Sequence, residues 1–188
     1  MKQSLAILGL PLAAILILLT GCGRKGEAAS TADASASTPY ADTTHATTAL
    51  PVLGTAPAWR LTDINGNAVS SDQFKGKVVV VDFWATWCGP CITEIPGYVD
   101  LFRRYGSDGL VIVGVSLDQA GPPVVKAFAG KYGVNYPLVM GDEDIITAFG
   151  GVEAIPTTFL IDRDGRKRDR KVGAEETASY EKKIQALL

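Results

Sequence analysis

Two stretches of this chain are apolar at nearly every position. Lys77–Trp84 (KVVVVDFW) and Leu110–Leu117 (LVIVGVSL) are runs of β-branched and aromatic residues, the pattern of strands covered on both faces. Between them, Gly89–Tyr105 predicts a helix. Pro122–Tyr132 repeats the helical pattern, with Val125, Phe128, Ala129 and Tyr132 on one side. Tyr136–Met140 predicts a short strand and Asp142–Phe149 a short helix closed by Gly150-Gly151. Thr157–Ile161 predicts a strand, Asp164-Gly165 a hairpin turn, Arg166–Val172 its partner and Glu175–Leu188 a terminal helix. At the front, Trp59–Thr62 and Asp63–Val69 predict a hairpin turning at Asn65-Gly66. Strands alternating with helices specify an α/β layer sandwich with parallel central strands. No internal repeat is visible.

Ahead of this domain the pattern changes twice. Met1-Lys2 precedes a charge-free apolar run, Leu5–Leu19 (LAILGLPLAAILILL), whose length and flanks suit an export signal better than a full membrane span. The run ends in Leu19-Thr20-Gly21-Cys22, which resembles a bacterial lipobox, in which the cysteine becomes the lipid-modified first residue of the mature protein. The alternative is an uncleaved anchor in which Cys22 is incidental. Either places the remainder outside the cytoplasm, tied to a membrane. Residues 22–56 then shift to Ala, Ser and Thr with too few large apolar side chains to form a core, and predict a flexible tether. About 34 such residues give an r.m.s. reach of roughly 30 Å. His45, the only histidine, lies in it. The expected organisation is a signal over 1–21, lipidated Cys22 and tether over 22–56, and one folded domain over 57–188.

Length and charge add little except exclusions. A chain of 188 residues with 47% hydrophobic content suits one domain plus extensions, and a net charge of -2 offers no footprint for nucleic acid. Three cysteines is an odd number, which Cys22 accounts for and which leaves one pair.

That pair is Cys88 and Cys91, in DFWATWCGPCITEIP (Asp82–Pro96). A strand ending just before CxxC, with a helix opening on it, puts Cys88 at the helix N-terminus. There unpaired N–H groups and the dipole stabilise a thiolate and lower its pKa. Cys91 lies one turn further in, covered, and reaches back to close a disulfide ring. Cys88 is therefore the expected attacking sulfur and Cys91 the resolving one. Pro90 fits because an early helical position needs no N–H donor. A zinc site is short of ligands, and haem attachment through CxxCH fails because Ile92 follows Cys91. No metal and no cofactor are expected; the cysteine pair is itself the reagent.

VDFWATWCGPC resembles the active-site strand and helix of the thioredoxin superfamily, with the same spacing from Cys91 to a helix-kinking Pro96. Ile155-Pro156-Thr157 resembles that family's cis-proline loop. The anchor, the inserted strand-helix segment Tyr136–Gly150 and CxxCxxE make the chain most similar to the extracytoplasmic TlpA/ResA/DsbE-type thiol-disulfide oxidoreductases. The resemblance covers about Ala56–Leu188. It implies a thioredoxin-like α/β fold: a mixed central sheet flanked by helices, with an N-terminal β-hairpin and the inserted segment.

Asp82 interrupts an apolar strand and is expected to enter the interior, where burial raises a carboxyl's pKa. The family's matching aspartate helps deprotonate the buried cysteine, whereas the tethered branch more often uses a glutamate at the position of Glu94. This chain has both. Glu94, three residues beyond Cys91, shares its helical face; the alternative is a solvated first-turn carboxylate. The expectation is that Asp82 is the main general base for Cys91 and that Glu94 modulates it.

For substrates, Trp87 offers a flat apolar contact, and a cis bond before Pro156 would present the Ile155 backbone for pairing with an extended partner segment. The alternative for Pro156 is an ordinary strand-start proline. The run Arg163–Lys171 (RDGRKRDRK), with six positive and two negative charges, reads as a charged hairpin that blocks edge-to-edge association. The resemblance implies a monomeric, lipid-anchored reductase of exported protein disulfides, with apocytochrome c as one candidate client and a transmembrane thiol conduit as electron donor. Two rivals stay open. A redoxin-type thiol peroxidase would place threonine three residues before the reactive cysteine, where this chain has Ala85. The other is a non-enzymatic binding or chaperone module on the same fold.

Overall fold

The computed structural model describes residues 49–188. The expected signal, the lipidation position Cys22 and most of the tether, with His45, lie outside the described residues. In chain order the elements are β1 (Arg60–Asp63), β2 (Ala68–Ser70), a 3-10 turn (Ser71–Phe74), β3 (Val78–Trp84), α1 (Gly89–Tyr105) and β4 (Leu110–Ser116). They continue with α2 (Pro122–Tyr132), β5 (Leu138–Met140), α3 (Glu143–Ala148), β6 (Thr157–Ile161), β7 (Lys167–Val172) and α4 (Thr177–Gln185). The strands form one sheet in the order β2-β1-β5-β4-β3-β6-β7. β3, β4 and β5 are parallel, and the remaining pairings are antiparallel.

β3 is central because it can be buried on both sides. All seven of its residues are covered, and the period of two divides them between faces. Val78, Val80 and Trp84 join Ile95, Tyr98 and Leu101 of α1, Val125 and Phe128 of α2, and Tyr180 and Ile184 of α4. Val79, Val81 and Phe83 join Leu61, Ile145, Phe149, Phe159 and Ile161 on the other face. Alternation assigns Asp82 to the first set, beneath α1.

α1 explains itself in the same terms. Its buried residues Cys91, Glu94, Ile95, Tyr98 and Leu101 fall at helical spacing and form one stripe, with a carboxylate in the middle of it. Pro96 removes the N–H that would bond Ile92. At the next residue, a Cβ on Gly97 would lie 2.1 Å from Thr177 Oγ1, so the approach of α1 to the start of α4 requires glycine. A Cβ on Gly114 of β4 would meet Leu138 Cδ2 at 2.6 Å and Trp84 Nε1 at 2.9 Å; its absence makes room for the indole.

Three departures from the sequence reading have physical causes. β5 begins at Leu138 rather than Tyr136, because Tyr136 packs into the core and Pro137 has no N–H for a ladder. α4 begins at Thr177 rather than Glu175, because Glu176 is extended (φ -61°, ψ 133°) and caps the helix, while Glu175 N–H donates to the Glu94 carboxylate at 2.9 Å. The third concerns the tether. Its last residues lie along the β6–β7 hairpin: Leu53 N–H donates to Lys167 O at 2.8 Å, Lys167 N–H to Gly54 O at 2.8 Å and Ala56 N–H to Gly165 O at 2.9 Å. Arg168 Nε donates to the Leu50 and Pro51 carbonyls at 3.1 and 3.2 Å. The ordered fold thus starts ahead of the expected boundary at 57. The segment lies against the first part of the charged run, with Thr55 bridged to Arg166.

Candidate active site

β3 ends at Trp84, and Ala85-Thr86-Trp87 carry the chain to α1. This turn is clamped from β4: Asp118 accepts from Thr86 N–H at 3.0 Å, from the Thr86 hydroxyl at 2.5 Å and from the Ser116 hydroxyl at 2.8 Å. Asp118 is itself buried. Cys88 then caps α1 with an extended backbone, and Cys91 N–H points at Cys88 Sγ at 3.3 Å. The first-turn N–H groups therefore face the sulfur, the geometry that stabilises a thiolate once the bond is reduced. Cys88 and Cys91 are joined in a disulfide with S–S 2.03 Å and Cα–Cα 5.3 Å. In this oxidised form Cys88 is only 5% exposed. The accessible rim is Trp87, 70% exposed, with Gly89 and Pro90.

Under the disulfide-bearing helix lies a polar layer. Strand register lines up Asp82 of β3 with Thr158 of β6, and Thr158 with Lys171 of β7, in one row across the sheet. The Thr158 hydroxyl donates to Asp82 Oδ1 at 2.9 Å, and the Tyr98 hydroxyl of α1 lies 3.3 Å from Thr158 Oγ1. With its one proton used on Asp82, Thr158 accepts from Tyr98. Glu94 reaches down from α1 to the other end of the row, where its Oε1 accepts from Lys171 Nζ and from Glu175 N–H. Glu94 Oε2 is buried without a partner among the described residues. The ammonium of Lys171 also sits 5.3 Å from the Tyr180 ring centre and 5.8 Å from that of Tyr98.

These surroundings set the charge states. Burial pushes the Asp82 carboxyl up to about 7; the Thr158 hydroxyl and the Lys171 ammonium pull against this, and the Glu94 carboxylate adds to it. Burial likewise holds the phenols of Tyr98 and Tyr180 well above their usual range, so both stay protonated and Tyr98 remains a donor. Of the two readings left open for Glu94, the solvated one is overturned, since the side chain is buried in an ion pair.

The Ile155–Pro156 bond is cis. Pro156 is buried and its carbonyl accepts from Gly173 N–H at 2.8 Å, while Ile155 packs against the apolar cluster that contains Cys88 and Cys91. The structure therefore brings Cys88, Cys91, Ile155 and Pro156 to one end of the sheet, with Asp82 and Glu94 in the layer beneath. It adds Thr158, Tyr98, Lys171 and Asp118, which the sequence reading missed. Lys171 was hidden in a charge run, although alternation along β7 puts it on the face opposite Arg170. Among the described residues, no group of three or more His, Cys, Asp or Glu is placed to hold a metal ion, and no helix is long and apolar enough to cross a membrane.

Comparison with known proteins agrees with this geometry. Residues 52–169 match the AhpC/TSA family. Thiol-disulfide oxidoreductase ResA of Bacillus anthracis is 35% identical over 132 residues, covering 69% of this chain and 76% of that one. ResA of Geobacillus kaustophilus is 33% identical over 140 residues, covering 74% and 80%. Among solved structures, a thioredoxin family thiol:disulfide interchange protein from Chlorobium tepidum superposes with a TM-score of 0.67 at 33% identity, covering 71% of this chain and 95% of that one.

Proposed function

The chain belongs to the AhpC/TSA family and is a thiol-disulfide oxidoreductase, and from that premise we propose that it is a membrane-tethered reductase of disulfides in exported proteins. The observation that carries the reading is the Cys88–Cys91 disulfide at the N-terminus of α1, above a buried carboxyl poised near neutrality. In the reduced protein, the Cys88 thiolate attacks one sulfur of a client disulfide. A mixed disulfide forms and one client thiolate leaves. Asp82 takes the proton of the Cys91 thiol, and the Cys91 thiolate attacks Cys88 Sγ. The intramolecular disulfide forms and the second client thiolate leaves. The client gains two electrons and two protons, one that Asp82 took from Cys91 and one from solvent, and the cysteine pair is oxidised. With its value at about 7, Asp82 has both forms populated near neutral pH, which suits a base that must accept a proton and then release it.

Trp87, Ile155 and Pro156 are the proposed client surface: an exposed indole beside the sulfur, and a backbone segment offered to an extended chain. The reducing direction rests on the Gly-Pro between the cysteines and Ile155 before the proline, which resemble the reducing members. Lipidation at Cys22 supplies the anchor, exported proteins (apocytochrome c among them) the clients, and a transmembrane thiol conduit the electrons. The peroxidase rival is disfavoured by Ala85, and by a Thr86 hydroxyl that is already bonded to Asp118.

The test is reduction of a protein disulfide by the chemically reduced chain. Wild type turns over, Cys88→Ser is inert, and Cys91→Ser accumulates a mixed disulfide. Turnover in Cys88→Ser would reject the reading, and peroxide consumption at a comparable rate would favour the rival. An equilibrium potential against glutathione near the oxidising end of the thioredoxin-fold range would reverse the proposed direction.

A further inference from the structure

The mechanism above leaves one buried cation without a task. Lys171 belongs to the outermost strand of the sheet, in a segment where every neighbouring basic side chain is at least partly exposed, yet its own is buried. Register places it in the Asp82–Thr158 row, and its ammonium bonds Glu94 between two tyrosine rings. A lysine needed only to guard the sheet edge would point outward, as Arg170 does.

We propose that Lys171 is a positioning residue of the redox centre: by balancing the charge of Glu94 it reserves Asp82 as the group that exchanges a proton with Cys91. This rests on the roles just given to Asp82 and Cys91. The groups facing the layer are few enough to name. α1 contributes Glu94 and Tyr98, β3 Asp82, the lead-in to β5 Tyr136, β7 Lys171, and α4 with its lead-in Glu175, Tyr180 and Lys183. The Lys183 ammonium and the Glu175 carboxylate are already committed, to one another and to Asp169 and Ser179. Burial holds all three phenols protonated. Among the described residues Lys171 is therefore the one cation set against two carboxyls, and Glu94 holds it directly. Without Lys171, two acids would face one another under the disulfide with no counter-charge and would titrate as a pair.

The test is stopped-flow reaction of the reduced full chain with 5,5′-dithiobis(2-nitrobenzoic acid) across pH 4–9. Cys88 attack releases the first coloured thiolate and Cys91 resolution the second. In Lys171→Met the acid limb of the second phase moves up by about one pH unit, the lower end of what a lost neighbouring charge does. The second phase at pH 6 is then about tenfold slower. Lys171→Met/Glu94→Gln, which removes both charges, returns it to within about threefold of wild type. A general loosening would slow both phases and would not be reversed by the second substitution. If Lys171→Met folds and its second-phase profile superposes on wild type, the proposal fails. If Lys171→Met does not fold, Glu94→Gln and the double variant decide: the acid limb moves down in the single and back in the double. Superposing profiles there would also overturn it. Failure of the underlying reading looks different: wild type would show no second release if Cys91 does not resolve, and Asp82→Asn would leave the second phase and its acid limb unchanged if Asp82 is not the base.

Discussion

Replacing Asp82 by asparagine tests whether this carboxyl is kept for chemistry at the expense of the fold. Burial raises its pKa from 3.8 to about 7. In the folded protein the group therefore keeps its proton through a range in which the unfolded chain has lost it. For an acid raised in this way the folded state binds more protons, so stability is highest below the unfolded value and declines as pH climbs towards 7. A difference of about three units at about 1.4 kcal/mol each gives a loss of about 4 kcal/mol at pH 7 and above. Asparagine is close to isosteric, keeps the oxygen that accepts from Thr158, and does not ionise. The expectation is that oxidised Asp82→Asn lies between equal to wild type and about 2 kcal/mol below it near pH 4, the lower figure being the cost of burying the new amide N–H. Its advantage then grows by about 1.4 kcal/mol per pH unit and reaches a plateau of about 2–4 kcal/mol above pH 7, the lower figure allowing for the new amide N–H. With a urea slope of about 2 kcal/mol/M, the unfolding midpoint at pH 8 rises by about 1–2 M. The assay is urea unfolding of both oxidised proteins at intervals from pH 4 to pH 8. An advantage independent of pH, or none at all, would refute the reasoning. The same variant is expected to resolve mixed disulfides more slowly, so stability and turnover move in opposite directions.

Three further substitutions probe the support around the sulfurs. Asp118→Ala frees the Thr86 backbone and hydroxyl and leaves buried donors unmet, for an expected loss of about 1–3 kcal/mol by urea unfolding and a slower first thiolate release in stopped flow. Trp87→Ala is expected to leave unfolding within about 0.5 kcal/mol of wild type, because the indole is mostly in water, and to raise KM for a protein disulfide more than for a small aromatic one. Gly114→Ala drives a methyl into Leu138 and Trp84 and is expected to destabilise by about 1–3 kcal/mol; a neutral result in urea unfolding would mean that the indole can move aside.

What could be read in advance follows from which interactions are local. The continuous apolar runs of β3 and β4, the helix opening on Cys88 and the helix Pro122–Tyr132 are written in neighbouring residues, and they appear where the periodicity puts them. Asp82 was legible because one charge in an apolar strand has nowhere to go but inward. Glu94 was only half legible: its spacing from Cys91 shows the face it occupies, but its burial depends on a partner 77 residues away. Lys171 was illegible because a basic run hides which member faces inward until the strand has a register. Asp118 was missed for a related reason. Its bonds to Thr86 cross from one strand end to the next, and nothing local in VSLD separates a buried clamp from a loop acid.

The segment from Leu50 to Ala56, hydrogen-bonded along the hairpin that carries Lys171, determines where the protein can safely be cut. A version starting at residue 57, the boundary that composition suggests, would strip the amide and carbonyl of Lys167 of their partners. It would also leave Arg168 without its backbone ligands, three positions from the lysine beneath the sulfurs. The bare strand would then be free to recruit a second molecule as its missing neighbour. Versions starting at or before residue 49 carry their own cover, and crystallisation or fusion designs that respect this limit keep the redox layer as it stands.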